Sequence, residues 1–331
     1  MHDGARLAAD PREELATALD RFAFRTSWLF AFDGEPVSVS AAGGPPGDDA
    51  PLVQAIQATF YDRCYARRSG RPMAMGAADT SLVQRLAAAN AGREGWDRGW
   101  TVFQLGPGGQ VFVRKGERER MAVPGAFLTE AMVGMAPQVG AKVSLRVLRE
   151  SVEAQPGYYF AFGETLDELA DQLSIVRIYF NLRAETAPDL FGALTELLNR
   201  YQTPFQLKAP VAPAAYDRAD AAVLYVGGRY FPIVARIVAM LPVACEDPVP
   251  LFTKRLGPGI GVAMEPGSGE SFGAHRSRLV AEGLVVAWRR GTAPLPTVAE
   301  HLAASGLDPA RLWLVPGAVD RFDFPLATDL P

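Results

Sequence analysis

Two scarce lysines are the first residues in this sequence that could do acid–base chemistry. Of the 33 basic residues only four are lysines, and two of these, Lys208 and Lys254, fall in segments that alternate like β-strands. A lysine partly buried beside aromatic side chains loses basicity through desolvation and can become a general base. The alternative for each is a stem packed on a sheet with its ammonium group in water.

One alternating segment carries a row of hydrogen-bonding side chains. In "SIVRIYFNLR" the polar positions are Arg177, Tyr179, Asn181 and Arg183, with apolar residues between them. Guanidinium groups match the geometry of phosphate, and Tyr and Asn add further donors. This row contains no acidic residue, which favours an anion-binding face over an ordinary solvated one. A solvated face of a one-sided sheet remains the alternative.

The stretch "GSGESFGAHRSRL" predicts the start of a helix. Ser271 or Ser268 is suited to cap it, because a serine hydroxyl accepts a hydrogen bond from a first-turn backbone N–H. The remaining free N–H groups at such a helix start can bind an anion.

His275, one of three histidines in the chain, lies about one turn into this helix. Its neighbours Arg276 and Arg278 predict a lowered pKa for the imidazole, unless a phosphate group or Glu270 offsets their charge. A histidine with no catalytic role, on the surface or in the core, is the alternative. The pair Arg218 and Asp220 precedes another strand and is either an ion pair that orients a site or part of a turn.

The elements that must position these residues predict an α+β fold. Strand-like segments cover 174–183, 204–209, 219–226 and 250–256, and helical spacing covers 186–202 and 230–242. The order β-α-β-β-α-β is that of the split-βαβ motif, a mixed or antiparallel sheet with flanking helices on one face. A flexible glycine-rich segment, 257–269, then leads to a last helix over 271–288.

The first half of the sequence predicts a smaller α/β region, residues 1–150, that precedes an α+β domain over residues 151–331 with the candidate site residues. In the first half we expect a helix from Pro11 to Phe24, a strand over 27–32, a loop over 41–51, a helix over 51–68, a hairpin over 99–124 and an alternating segment over 141–150. The region is a candidate for binding a precursor or a partner.

Composition excludes several classes of protein. The net charge of -4 gives no electrostatic reason to expect nucleic acid or an anionic membrane as partner. Two cysteines cannot build a disulfide framework or a zinc site. There is no Walker A loop, no dinucleotide-binding glycine motif, no G-x-S-x-G elbow and no histidine cluster, so we expect no metal and no cofactor. With no apolar run of membrane-spanning length, the sequence predicts a cytoplasmic protein.

Arginine, lysine, histidine and tyrosine without a metal or nucleotide motif suit one reaction, the β-elimination of phosphate. A base removes the Cα proton of a phosphoserine or phosphothreonine residue, cationic groups hold the phosphate, and an acid protonates the departing oxygen. The residue types permit this chemistry but do not prove it.

A family resemblance points to the same chemistry. The blocks "VRIYFNLR", "PLFTKRLGPGIG" and "GESFGAHR" resemble the HopA class of type III secretion effectors, and the chain is still more similar to the bacterial biosynthetic members of that family. The resemblance covers roughly residues 155–290. It implies a lyase that acts beside an aminoglycoside-phosphotransferase-like kinase in class V lanthipeptide and thioamitide pathways. The kinase phosphorylates Ser or Thr of a precursor peptide, and the lyase converts these residues to dehydroalanine or dehydrobutyrine.

The same resemblance implies roles for individual residues. Lys208 or Lys254 would be the base, with Lys208 favoured because its strand alternates cleanly, and His275 would be the acid. The resemblance implies Arg183, Arg218 and Arg276 as phosphate ligands. The polar row and the helix start add further candidate phosphate or substrate ligands, namely Arg177, Tyr179, Asn181, Glu270 and Ser271. The alternative function is a non-catalytic scaffold or effector-like binding protein that presents the precursor or activates the kinase.

Overall fold

The computed structural model describes residues 10–39, 49–67, 78–130 and 136–324. In these ranges the α-helices are α1 (Pro11–Leu19), α2 (Ala50–Phe60), α3 (Thr80–Ala89), α4 (Leu169–Gln172), α5 (Ala187–Arg200), α6 (Phe231–Ala239), α7 (Phe272–Arg290) and α8 (Pro294–Ala304). A π-helical turn, Tyr61–Tyr65, continues α2. The strands are β1 (Phe22–Thr26), β2 (Leu29–Phe32), β3 (Glu35–Ser38), β4 (Gly95–Leu105), β5 (Val111–Lys115), β6 (Arg118–Ala122), β7 (Phe127–Thr129), β8 (Lys142–Val147), β9 (Glu150–Ser151), β10 (Tyr158–Phe162), β11 (Ile175–Phe180), β12 (Gln206–Pro210), β13 (Ala222–Gly227), β14 (Lys254–Gly257) and β15 (Ile260–Met264).

The predicted α+β fold is confirmed. Seven strands form one antiparallel sheet in the order β14-β15-β11-β13-β12-β10-β9. Within it, β11, α5, β12, β13, α6 and β14 follow each other in the order of the predicted β-α-β-β-α-β motif. The predicted last strand, 250–256, is β14 at the edge of the sheet, and β15, which the sequence did not predict, lies between it and β11.

Both faces of the seven-stranded sheet are covered, whereas the sequence predicted helices on one face. On the first face Phe191 of α5 packs against the Tyr159 ring, 5.5 Å between centroids. On the second face Phe272 of α7 lies 6.3 Å from the Tyr179 ring, and Tyr65 of the π-helical turn lies 6.2 Å from Phe272. The second covering layer thus comes partly from the first half of the chain.

The first half forms two further antiparallel sheets. The three-stranded sheet β1-β2-β3 and helices α1 to α3 share one hydrophobic core with the seven-stranded sheet. The five-stranded sheet β6-β5-β4-β8-β7 surrounds a second core around Trp100. It contains the predicted hairpin as β4 and β5, together with β6, which the sequence did not predict. A division of the chain at residue 150 stays a prediction.

Three predicted elements differ from the structure. The first helix ends at Leu19, because the alternating residues from Phe22 onward pair with β2. The segment 250–256 begins as a turn, in which Phe252 has a φ of 73°, and becomes a strand only at Lys254. The glycine-rich segment predicted to be flexible contains β15, which pairs with β11 and β14. The predicted loop over 41–51 lies mostly outside the described residues.

No helix in the described ranges is long and apolar enough to cross a membrane.

Candidate functional site

Lys208 lies on the second face of the seven-stranded sheet, inside a partial ring of aromatic side chains. Its Nζ is 4.7 Å from the centroid of the Tyr158 ring, 5.6 Å from that of Tyr225 and 5.9 Å from that of Phe160. It donates a hydrogen bond to Oε1 of Gln155 at 3.1 Å. In the part of the chain that the structure describes, no carboxylate lies within ion-pair distance of this amine.

Burial lowers the pKa of Lys208 to about 8, and the positive charge of Arg177 acts in the same direction. The predicted loss of basicity is therefore found at this lysine. Just above neutral pH, the Lys208 amine is therefore neutral in a considerable fraction of the protein molecules, and in that form it can accept a proton.

Arg177 and Tyr179 both point to the Lys208 side of the sheet, as the alternation of β11 predicted. The guanidinium of Arg177 lies over the Tyr225 ring at 5.0 Å and forms an ion pair with Glu265. Glu265 directly follows the neighbouring strand β15, so the acidic residue missing from β11 itself comes from elsewhere in the chain. Tyr179 is buried under Tyr65 and Phe272 and serves packing more than ligand binding.

Arg218 and Asp220 form the predicted ion pair. Nη2 of Arg218 lies 2.8 Å from Oδ2 of Asp220, and both side chains are largely buried. The same guanidinium donates to the Tyr61 hydroxyl at 3.0 Å and to the Tyr158 hydroxyl at 3.4 Å. Tyr158 therefore links this ion pair to Lys208, since its ring also contacts the lysine amine.

A polar cavity of about 370 Å³ adjoins Arg218. Its wall includes Asn181 and Arg183, which follow the end of β11, and Arg67 from the first half of the chain. Arg183 is mostly exposed and pairs with Glu246. Three of the predicted phosphate ligands, Asn181, Arg183 and Arg218, thus meet at one cavity, and Arg218 alone of these also belongs to the Lys208 cluster.

The start of α7 has the predicted cap. The Ser271 hydroxyl accepts a hydrogen bond from the backbone N–H of Ala274 at 3.3 Å. Glu270 binds the guanidinium of Arg278 at 2.9 Å, and Arg278 also binds Glu282 at 2.7 Å. The carboxylate of Glu270 is therefore engaged on the surface of α7.

His275 lies against Arg276, with 2.7 Å between Nδ1 and Nη1. Burial lowers the pKa of His275, and the charges of Arg276 and Arg278 lower it further, so the predicted direction is confirmed. Because the guanidinium can only donate, Nδ1 is the acceptor and the imidazole is neutral. Arg276 is 1% exposed and donates to the carbonyls of Leu312 and Leu314, so it fastens a C-terminal segment to α7.

Lys254 lies on the edge strand β14 and forms an ion pair with Asp320 at 3.0 Å. The same carboxylate accepts a hydrogen bond from Nε1 of Trp313 at 3.1 Å. Lys254 therefore has a carboxylate partner, whereas Lys208 donates to the neutral amide of Gln155 and has no such partner among the described residues.

The predicted residues fall into separate groups. Lys208, Arg177 and Arg218 share one cluster on the sheet. Among the described residues, none of these three side chains makes a direct hydrogen bond or ion pair with His275, Arg276 or Lys254; the rings of Tyr61, Tyr65 and Phe272 lie between Arg218 and Arg276. Four contributors were not predicted, namely Tyr61, Tyr158, Tyr225 and Glu265. Of these four, Tyr225 has a signal in the sequence that could have identified it, because its hydroxyl is the one polar side-chain group in the apolar run "AAVLYV".

The close approach of Tyr65 explains why the block "GESFG" ends in a glycine, Gly273. A Cβ at this position would lie 2.3 Å from Cε1 of Tyr65, whose ring packs directly on the first turn of α7. The glycine thus permits the Tyr65 ring of the π-helical turn to pack against the start of α7.

We expect Gly273→Ala to destabilise the fold by about 1–3 kcal/mol, because the overpacking exceeds the gain in helix propensity. Gly192→Ala in α5 is the matched control, since its Cβ would meet nothing closer than 3.4 Å. That variant should be neutral or up to about 1 kcal/mol more stable. Urea denaturation followed by circular dichroism measures both, and equal stabilities of the two variants would contradict the packing role.

Comparison with known proteins identifies the family. The model of the HopA1 effector protein family matches residues 149–314, which is half of the chain. The chain belongs to the HopA1 effector protein family. The match includes Lys208, Arg177, Arg218 and Asp220, whereas Tyr61 and the π-helical turn lie outside it.

Two solved structures are similar to about four fifths of the chain. The effector protein from Pseudomonas syringae pv. tomato strain DC3000 is 15% identical, with a TM-score of 0.45, over 83% of this chain and 93% of that one. The effector protein from Pseudomonas syringae pv. syringae strain 61 is 16% identical, with a TM-score of 0.43, over 78% of this chain and 88% of that one. No curated protein matches the sequence.

Proposed function

We propose that this HopA1-family protein is a lyase that eliminates phosphate from phosphoserine or phosphothreonine residues of a peptide. The observation that carries the proposal is the environment of Lys208. Its amine has a pKa of about 8, faces three aromatic rings and experiences the positive charges of Arg177 and Arg218. A neutral amine close to a guanidinium group that can bind phosphate is what the removal of a Cα proton beside a phosphate group requires.

In the proposed reaction Nζ of Lys208 takes the Cα proton of the phosphorylated residue. The electron pair of the Cα–H bond forms the Cα=Cβ double bond, and the Cβ–O bond breaks. Phosphate leaves with the electron pair of the broken Cβ–O bond and takes up a proton, and the product is dehydroalanine or dehydrobutyrine. The lysine then returns its proton to solvent.

Arg218 is the better candidate of the two arginines for binding the phosphate. Its Nη1 group makes only a long hydrogen bond to Tyr158, and the same residue borders the polar cavity. Arg177 forms an ion pair with Glu265, and its positive charge disfavours the protonated form of Lys208.

Tyr158 is a better candidate than His275 for the group that donates a proton to the leaving phosphate. The imidazole is neutral and its Nδ1 is occupied by Arg276, whereas the Tyr158 hydroxyl lies 3.4 Å from Arg218. A phenol that is hydrogen-bonded to the proposed phosphate ligand lies where it can donate a proton to the leaving phosphate oxygen. We therefore propose Tyr158 for this role and keep His275 as the second candidate.

The biological context is part of the same proposal. The resemblance to biosynthetic members of the family supports a ribosomal precursor peptide as substrate, in a lanthipeptide-type or thioamitide pathway. An aminoglycoside-phosphotransferase-like kinase would supply the phosphorylated residues.

The test uses the purified full chain and a synthetic precursor peptide with its leader, carrying phosphoserine or phosphothreonine. Mass spectrometry should show loss of phosphoric acid, and a thiol added afterwards should couple to the dehydrated residue. Binding of the peptide with complete retention of phosphate, also in the presence of the kinase, would reject the lyase and favour the scaffold alternative.

A further inference from the structure

A second cavity, of about 230 Å³, lies beside the Lys208 cluster, between the seven-stranded and five-stranded sheets. Its wall includes the aromatic rings of Phe162, Phe205 and Tyr225 together with Leu148 and Leu166. A dry cavity of about 150 Å³ is enough to hold a benzene ring. The space is therefore large enough for one aromatic or branched aliphatic side chain.

The charges in the cavity wall are balanced in pairs. Arg120 is paired with Asp167, Arg146 with Glu94, and Asp171 with Arg229. Each charged group on the wall thus has a partner of opposite sign, and a charged ligand would have to displace one of them. This arrangement favours an uncharged side chain as occupant.

The cavity is continuous with the Lys208 cluster through three residues. The Tyr225 ring lines the cavity and lies 5.6 Å from Nζ of Lys208. Phe162 stacks on Phe160, another neighbour of the lysine, with 6.0 Å between ring centroids. Gln206 lines the cavity and precedes Lys208 by two positions on the same face of β12.

Resting on the proposed lyase function, we infer that this cavity binds an apolar side chain of the substrate peptide, two residues from the phosphorylated one. Side chains on one face of a strand repeat every two residues, about 7 Å apart. An extended peptide that lies along β12 has the same repeat. When its phosphorylated residue is at Lys208, its next side chain on that face lies over Gln206 and enters the cavity.

The test measures binding separately from catalysis. Full-length Lys208→Ala protein, which should bind phosphopeptides without eliminating phosphate, is titrated with phosphoserine peptides that vary two positions before and after the phosphoserine. We expect peptides with Phe or Leu at one of these positions to bind about tenfold or more tightly than peptides with Gly or Asp there.

The pocket itself is tested in the same background by Thr165→Trp, which fills the cavity from its wall. The preference for the apolar residue should fall to a ratio of about one. Leu173→Trp is the matched control, because Leu173 is 83% exposed and lies near the cavity without lining it. This control should keep the preference. If Thr165→Trp does not fold, as judged by thermal melting, Leu148→Trp replaces it.

Equal affinities for the Phe and Gly peptides would overturn the proposed side-chain pocket. A preference for the apolar residue that persists in Thr165→Trp would do the same. Failure of every phosphopeptide to bind overturns the pocket and the proposed function together. A selective preference without elimination by the wild-type chain overturns the lyase and leaves the pocket as a peptide-recognition site.

Discussion

Lys208→Arg should abolish phosphate elimination, with kcat reduced by about 10²–10⁴-fold, the usual contribution of a general base. Arginine keeps the positive charge and much of the packing among the aromatic rings but does not lose its proton near neutral pH. Lys254→Arg is the matched comparison, because arginine there can keep the ion pair with Asp320. That variant should retain elimination within about threefold, since it removes no proposed proton acceptor.

The pH dependence of the wild-type rate gives a second measure of the same group. The base is the neutral amine, and its pKa is lowered to about 8. The rate should therefore rise with pH below about 8 and level off above it, provided that the fold is intact over that range. A rate that is independent of pH from 6 to 9, or loss of elimination in Lys254→Arg and its retention in Lys208→Arg, would assign the base elsewhere.

Local patterns were enough to predict the centre of the fold. Alternation identified β11 and β12, and the apolar run 221–226 identified β13. Helical spacing identified α5 and α6, because each of these helices buries one face. Strand β15 was missed because its sequence is glycine-rich. The structure shows why: a Cβ on Gly261 would lie 2.5 Å from Oγ1 of Thr253, so close packing requires a glycine inside a strand.

The candidate site was predictable only where its residues are near each other in sequence or lie on one strand. Arg218 and Asp220 are two residues apart, and the face of Arg177 follows from the alternation of β11. Tyr61 reaches Arg218 from a distance of 157 positions, and no local pattern indicates such a contact. The predicted row of polar side chains, Arg177 to Arg183, does not lie on one face in the structure. Strand β11 ends at Phe180, and beyond that residue alternation no longer fixes the direction of a side chain.

The buried pair of Arg218 and Asp220 should be the most sensitive electrostatic contact in the site. Asp220 is 8% exposed, and its removal leaves the Arg218 guanidinium buried, with the phenol hydroxyls of Tyr158 and Tyr61 as its remaining side-chain partners among the described residues. We expect Asp220→Ala to lower the free energy of unfolding by about 3–5 kcal/mol, measured by urea denaturation. Glu196→Ala, which breaks an exposed ion pair with Arg200, should cost no more than about 1 kcal/mol.

A double replacement separates the contribution of this pair to stability from its contribution to function. Replacing both residues by apolar ones, Arg218→Met with Asp220→Leu, removes the two buried charges together and should recover most of the lost stability. Phosphopeptide binding should not recover, because the proposed phosphate ligand is absent. Recovery of binding in the double variant would show that Arg218 holds the fold without contacting the substrate. A loss of less than about 1 kcal/mol in Asp220→Ala would show that water or a neighbouring group already compensates the arginine charge.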